Sequence, residues 1–245
     1  MRRFGLIGKT LRHSFSKGFF EKKFSEQGIE DCSYDNFELT SIHEFPNLIA
    51  GNPELKGLNV TIPYKEEVLQ FLDSRNEIVE SIEACNCIKI SGGQLNGFNT
   101  DAVAFKNSLE KYLKPNHRCA LVLGTGGASK AVQYALKQLG IDFLLVSRRK
   151  QQNQLGYEDV SRDIIERHQI IINTTPLGMF PNLDQDPPIP YKVLTPEHLL
   201  YDLIYNPAKT RFLQNGEEKG AQTINGYEML VAQAEESWRI WNLDG

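Results

Sequence analysis

The chain has 245 residues, 40% hydrophobic and 24% charged, an ordinary globular balance for a protein that can bury one large core or two modest ones. A net charge of −4, with no Lys/Arg block longer than Arg148-Arg149-Lys150, argues against a nucleic-acid binder, and no apolar run approaches the ~20 residues that span a bilayer. Gly5, Gly8 and Lys9 interrupt the basic N-terminus before any signal-like apolar segment forms; Cys32, Cys85, Cys87 and Cys119 have no framework spacing and read as reduced thiols, so a cytoplasmic protein is expected.

Residues 3–7 predict a buried strand, and 17–27 a helix with Phe19, Phe20 and Phe24 on one face, stopped by Gly28. A strand near 33–39, a helix near 42–50 and a strand at 58–60 follow. Helices over 64–72 and 77–83 lead to a hairpin in which 85–90 and 94–98 flank Ser91-Gly92-Gly93. A helix from Asp101 to about residue 113 precedes strand 119–123, helix 128–139 and strand 143–146. Strands at 170–172 and 199–203 continue an alternation that predicts an α/β fold with a parallel sheet. The last helix, over 227–241, carries Leu230, Val231, Ala234, Trp238 and Trp241 as its apolar positions. The stretch 151–158 is too short and polar for a full crossover helix, so that flank should be trimmed. Six of the eleven prolines fall between Pro176 and Pro196 and mark a long stiff loop, the kind that serves as a lid or binding loop.

Two polar clusters carry the chemistry. Gly57-Leu-Asn-Val-Thr-Ile-Pro-Tyr-Lys65 reads as a strand running into a proline-started helix with a lysine in its first turn. The positive end of a helix disfavours a cation, which would suit Lys65 to proton transfer. Gly97-Phe-Asn-Thr-Asp101 lies 36 residues on, where another strand feeds a helix, and its carboxylate would complete an acid/base pair. Taken singly, the plainer readings hold: Lys65 as a solvated helix residue beside Glu66 and Glu67, and Asp101 as an N-cap.

A separate glycine-rich motif follows strand 119–123. Gly124-Thr125-Gly126-Gly127-Ala128 is a glycine-rich turn that lets backbone N–H groups approach a pyrophosphate at a helix N-terminus. Ser129 stands where the third glycine of the usual spacing would be, and Ala131 can supply the close helix–strand contact instead. At the end of the next strand an NAD site would carry an acid; here Val146-Ser147-Arg148-Arg149-Lys150 offers three cations, which suits a 2′-phosphate and favours NADP(H).

Together these residues resemble the shikimate dehydrogenase family along nearly the whole chain. The resemblance begins with Gly8 and His13-Ser14-Phe15-Ser16, then Gly57-x-Asn-Val-Thr-Ile-Pro-x-Lys65, Ala84-x-Asn86 and Gly97-x-Asn-Thr-Asp101. It continues through the Gly124 turn, Ile172-Asn-Thr-Thr-Pro-x-Gly-Met179, Tyr205-x-Pro207 and Asn225-Gly226-x-x-Met-Leu-Val-x-Gln233-Ala234.

The resemblance implies two domains: an α/β substrate domain over residues 1–101, completed by the helix in 225–245, and a Rossmann-like NADP-binding domain over 102–224. It implies Lys65 and Asp101 as the catalytic pair that interconverts 3-dehydroshikimate and shikimate, a step of aromatic amino-acid biosynthesis. Ser14 and Ser16 would hold the substrate carboxylate, Thr61, Asn86 and Gln233 the ring hydroxyls, and Tyr205 would line the pocket. Leu203 and Gly226 would lie near the nicotinamide, with Glu77 where some relatives touch the cofactor. If Asn86 lies in a strand, it faces away from Cys85 and Cys87; no further Cys or His completes four ligands, so no metal is expected. The partner is a small-molecule substrate, with no nucleic acid or membrane and a monomer or homodimer. Lys17, Glu83, Cys87 and Ser147 depart from the family pattern, in place of proline, glycine, threonine and asparagine. The alternatives are a quinate/shikimate dehydrogenase with relaxed cofactor use, and a non-catalytic NADP- or shikimate-binding regulator.

Overall fold

The computed structural model describes residues 1–12 and 14–243. It divides into two compact units: Met1–Thr100 with Gln233–Gly245, and Asp101–Ala232.

In the first unit β1 (Arg2–Gly8), α1 (Phe15–Gln27) and β2 (Cys32–Glu38) form a parallel βαβ start, with α1 ended by Gly28 in the left-handed conformation. The helix expected near 42–50 is a 3₁₀ turn, Ile42–Glu44, followed by α2 (Phe45–Gly51), which begins around Pro46. Then come β3 (Leu55–Val60), a two-residue β4 (Ser74–Arg75), α3 (Glu77–Ile82), β5 (Cys87–Ser91) and β6 (Gln94–Phe98). The sheet order is β2-β1-β3-β5-β6-β4, parallel at β1–β3 and antiparallel at β3–β5–β6. Ile7, Phe45, Leu58, Val68, Cys85 and Ile88 form the core on one side of this sheet. Phe4, Phe20, Tyr34, Cys87 and Trp241 form the core on the other.

In the second unit α4 (Thr100–Glu110) leads into β7 (Cys119–Leu123), α5 (Gly127–Gln138) and β8 (Asp142–Val146), which make the first βαβ crossover. The return from β8 is short: a 3₁₀ turn, Tyr157–Asp159, and the six-residue α6 (Arg162–Arg167) lead into β9 (Ile170–Asn173). The expected trimming of this flank is present. β10 (Leu199–Asp202), α7 (Arg211–Glu217) and β11 (Gln222–Ile224) complete the sheet, and α8 (Tyr227–Trp241) carries the chain back to the first unit. All five strands are parallel in the order β8-β7-β9-β10-β11, the doubly wound 2-1-3-4-5 arrangement. β9 and β10 are buried along their whole length, as strands covered by helices on both faces must be. The C-terminal end of the edge strand β8 is closed by a bridge between Val146 and Leu155.

Candidate active site

Lys65 sits in a turn fixed on both sides. The buried Tyr64 hydroxyl donates to the Leu39 carbonyl at 2.6 Å, and the Lys65 carbonyl accepts from Cys85 N at 2.8 Å. That second bond accounts for a correction to the expected helix over 64–72. With the Lys65 carbonyl engaged by a remote segment, Leu69 N turns to Glu66 O at 3.3 Å, and the chain forms a 3₁₀ helix, Glu67–Phe71. Lys65 therefore precedes a single short helix instead of occupying the first turn of an α-helix, and the helix-dipole argument for its part in proton transfer falls away.

The next residues show how Asp101 is positioned. Asn86, only 3% exposed, accepts from Thr100 N at 2.7 Å through its Oδ1, and its Nδ2 donates to Thr100 Oγ1 at 3.0 Å. Because the peptide N–H can only donate, the amide orientation is fixed. Asn99 Nδ2 donates to the Ala84 carbonyl at 2.9 Å, and Asn86 N to Phe98 O at 3.1 Å. Residues 61–65, 84–87 and 98–100 are thus knotted together, and Asp101 is the next residue, in the first turn of α4. It is not the N-cap, since the helix already includes Thr100.

The chain of buried polar groups extends further. Thr100 Oγ1 lies 3.4 Å from Ser237 Oγ, which donates to Gln233 O at 2.9 Å. Asn59 Nδ2 donates to Ser237 Oγ at 2.8 Å and its Oδ1 accepts from Tyr34 at 2.9 Å. Gln233 stands one helical turn before Ser237 on α8 and is 8% exposed. Ser14 is the N-cap residue of α1, yet its hydroxyl makes no capping bond and is buried with no partner among the described residues. A buried hydroxyl of that kind is suited to a ligand. Ser16 and Thr61 are half-buried, with Thr61 N donating to Ile7 O at 2.9 Å. His13 lies outside the described residues.

The expected strand alternation at Asn86 does not occur. β5 begins at Cys87, so Asn86 precedes the strand, and Cys85 and Cys87 pack into the cores on opposite faces of the sheet. Burial pushes the Cys85 thiol up to about 12, and Cys87 is raised for the same reason. Among the described residues, no three His, Cys, Asp or Glu side chains gather as metal ligands.

In the second unit the order of strands reverses between β7 and β9, and Gly124 lies at that switch point. Gly124 has φ +108°, and a Cβ there would stand 2.5 Å from Thr174 Oγ1, so both conformation and space exclude a side chain. Thr174, which the sequence motif contained without assigning a role, bonds back to Leu123 O through both N (2.9 Å) and Oγ1 (2.8 Å). Thr125, Gly126, Gly127 and Ala128 are exposed, and the space where Cβ atoms of Gly126 and Gly127 would point is open. Ser129 and Ala131 are both buried, so two small residues share the close helix–strand contact.

After β8, Ser147 Oγ accepts from Arg149 N at 3.3 Å and shapes the basic turn. Lys150 is committed to Asp159 at 2.7 Å, while Arg148 and Arg149 are exposed and form no ion pair among the described residues. After β10, Leu203 N donates to Asn173 O at 3.0 Å, and the Leu203 carbonyl would lie 2.0 Å from any Cβ on Gly226. Gly226 is therefore obligatory for that close pass. Tyr205 is half-buried, which raises its phenol above the usual range. From the basic turn after β8, past Gly124 after β7 and Thr174 after β9, to Leu203 after β10 is three strand spacings, roughly 14 Å. That length suits an extended dinucleotide.

The sheet order, the glycine turn at its switch point and the neighbouring arginines define the second unit as a dinucleotide-binding α/β unit. The family model for the shikimate dehydrogenase substrate-binding domain matches residues 6–88 of the other unit. The shikimate dehydrogenase (NADP(+)) of Caldicellulosiruptor saccharolyticus is 39% identical over 258 residues, covering 98% of this chain and 92% of that protein. The shikimate dehydrogenase structure from Aquifex aeolicus has a TM-score of 0.87 at 33% identity, covering 99% of this chain and 92% of that one. The shikimate 5-dehydrogenase of Thermus thermophilus, solved in complex with NADP(H) and shikimate, also has a TM-score of 0.87, at 29% identity and with 99% and 94% coverage. The chain belongs to the shikimate dehydrogenase family.

Proposed function

We propose that this protein is an NADP-dependent shikimate dehydrogenase that reversibly reduces 3-dehydroshikimate to shikimate. The first unit takes the substrate and the second the cofactor. One observation supports this most directly: the adjacent residues Cys85 and Asn86 join the Lys65 carbonyl, through Cys85 N, to Thr100, the residue before Asp101, through the Asn86 amide. When bound, NADPH supplies the hydride for the ketone. Lys65, as an ammonium, donates a hydrogen bond to the ketone oxygen and then the proton that the developing alkoxide requires. Asp101 accepts from that ammonium and orients it toward the ketone oxygen. Ser14 and Ser16 donate to the substrate carboxylate; Thr61, Gln233 and the remaining Asn86 N–H hold the ring hydroxyls. Placement by donors that need a partner rejects analogues lacking a hydroxyl.

The cysteine that replaces the family's threonine at position 87 is fully buried against Phe4, Phe20 and Trp241, so this departure bears on packing and leaves the proposed substrate contacts intact. No helix among the described residues is long and apolar enough to cross a membrane, and all four cysteines are free thiols, which supports a cytoplasmic enzyme. The test is a spectrophotometric assay of shikimate and quinate with NADP+ and with NAD+. NADPH formation from shikimate, with the highest kcat/KM of the four pairs, is expected. Preference for quinate or NAD+ would establish the relaxed relative, and no turnover with any pair the silent regulator.

A further inference from the structure

Asp202, at the C-terminal end of β10, is fully buried and forms no ion pair among the described residues. Its Oδ1 accepts from Asn173 Nδ2 and from Ile204 N, both at 3.0 Å, and its Oδ2 accepts from Thr210 Oγ1 at 2.5 Å. Each donor belongs to a different segment. Asn173 ends β9, and its Oδ1 in turn holds Thr175 through N (3.0 Å) and Oγ1 (2.7 Å). Ile204 lies between Leu203 and Tyr205. Thr210 is the N-cap residue of α7 and also accepts from Leu213 N at 3.4 Å. A carboxylate has two oxygens that only accept, so it takes all three donors at once; an amide in the same place has one acceptor and must turn an N–H toward Thr210.

We propose that Asp202 is a positioning residue: its carboxylate ties the segment after β9 and the start of α7 to the segment after β10, and thereby sets Leu203 and Tyr205 against nicotinamide and substrate. The inference rests on the dehydrogenase reading above, which assigns those two residues their ligands. A carboxylate buried without a cation is costly to ionise. Burial raises it to about 6, with Thr210, Ile204 N and Asn173 holding it below where burial alone would put it. The charged and titratable groups around it do not change that sign. Tyr191, on the loop packed against α7, senses its charge and is held neutral by burial and by Asp186. Arg211 of α7 turns away to Asp186, at 3.9 Å. Above about pH 6 the tie is charged and strong; below it, the proton weakens the hold on Ile204.

The experiment compares wild type, Asp202→Asn and Thr210→Val between about pH 5 and 8.5, with shikimate and NADP+. At the upper end D202N should lose about 5- to 10-fold in kcat with KM for NADP+ within about twofold, because the adenosine end is held elsewhere. It should also lack the component of the wild-type acid limb near pH 6. T210V, which removes one donor, should move that component to higher pH. Hydrogen exchange at the Ile204 amide should accelerate in D202N relative to Val122, independent of any turnover. Wild-type kcat and an unchanged pH profile in both variants would overturn the proposal, as would a loss confined to KM for NADP+. If wild type itself does not oxidise shikimate, the functional reading fails, and the exchange at Ile204 still decides whether Asp202 holds the segment. If D202N does not fold, the direction of the T210V shift decides the matter.

Discussion

Asn86 holds the first peptide of α4: its Oδ1 accepts the Thr100 N–H at 2.7 Å, and its Nδ2 reaches the Thr100 hydroxyl at 3.0 Å. The amide proposed to hold a substrate hydroxyl therefore also braces the helix that carries Asp101. Asn86→Ala should strand a buried peptide N–H and cost about 1–3 kcal/mol in urea unfolding of the first unit. It should lower kcat by about tenfold or more, since the carboxylate loses its placement. A variant as stable as wild type would show that the brace is dispensable.

Lys65→Ala should reduce kcat by well over ~10²-fold, the loss expected when a general acid is removed. Its KM for NADP+ should hardly move. Initial rates in both directions measure this, and near-normal turnover would remove Lys65 from the mechanism.

Glu83 adopts φ 52°, the left-handed conformation, as the C-cap of α3. The family pattern has glycine here, and a side chain in this region costs roughly 1 kcal/mol. Glu83→Gly should therefore stabilise the first unit by about 0.5–1 kcal/mol, with activity unchanged. Equal or lower stability in thermal unfolding would mean that the glutamate recovers its strain elsewhere.

Arg148 and Arg149 are unpaired among the described residues, whereas Lys150 is held by Asp159. Removing either arginine should weaken NADP+ binding by about tenfold or more, with NAD+ binding little affected. Lys150→Ala should leave both nearly unchanged. Isothermal titration of each variant with the two cofactors distinguishes the outcomes.

Asp202 is raised to about 6 in the folded protein against an ordinary carboxylate value near 4 when unfolded. The native state thus binds more protons between those values, and this group's contribution to stability falls as pH rises from about 4 through about 6. Asp202→Asn is exempt from that loss. The stability of wild type relative to D202N should decline by up to roughly 3 kcal/mol across the interval, then level off. Parallel Tm curves for the two proteins would contradict it.

Periodicity serves well where an element is held by its own residues. The glycine pair between β5 and β6, the apolar stripe of α8 and the alternation from β7 to β8 are all readable. It fails where a remote segment intervenes. The helix expected after Pro63 is lost because Cys85 captures the Lys65 carbonyl, a partner no local window contains. β11 is three half-polar residues that become a strand only by parallel pairing with β10. Lys65 and Asp101 stand out in the sequence by residue type and by the strand ends they follow, whereas the proposed substrate contacts come from the family resemblance; a helix dipole at Lys65 is not the device the chain uses. Asp202 escapes a sequence reading because an acid at a strand end reads as solvated until its three donors, from three segments, are brought around it.

The pairing of Leu155 with the end of β8 has a consequence for behaviour in concentrated solution. Leu155 N bonds Leu145 O at 2.8 Å, and Ser147 N bonds Leu155 O at 2.9 Å, so the outermost strand is already zipped where its most apolar residues lie. A neighbouring molecule finds few unclaimed amides there on which to extend the sheet, and the shortened crossover thereby doubles as a guard against fibrillar self-association.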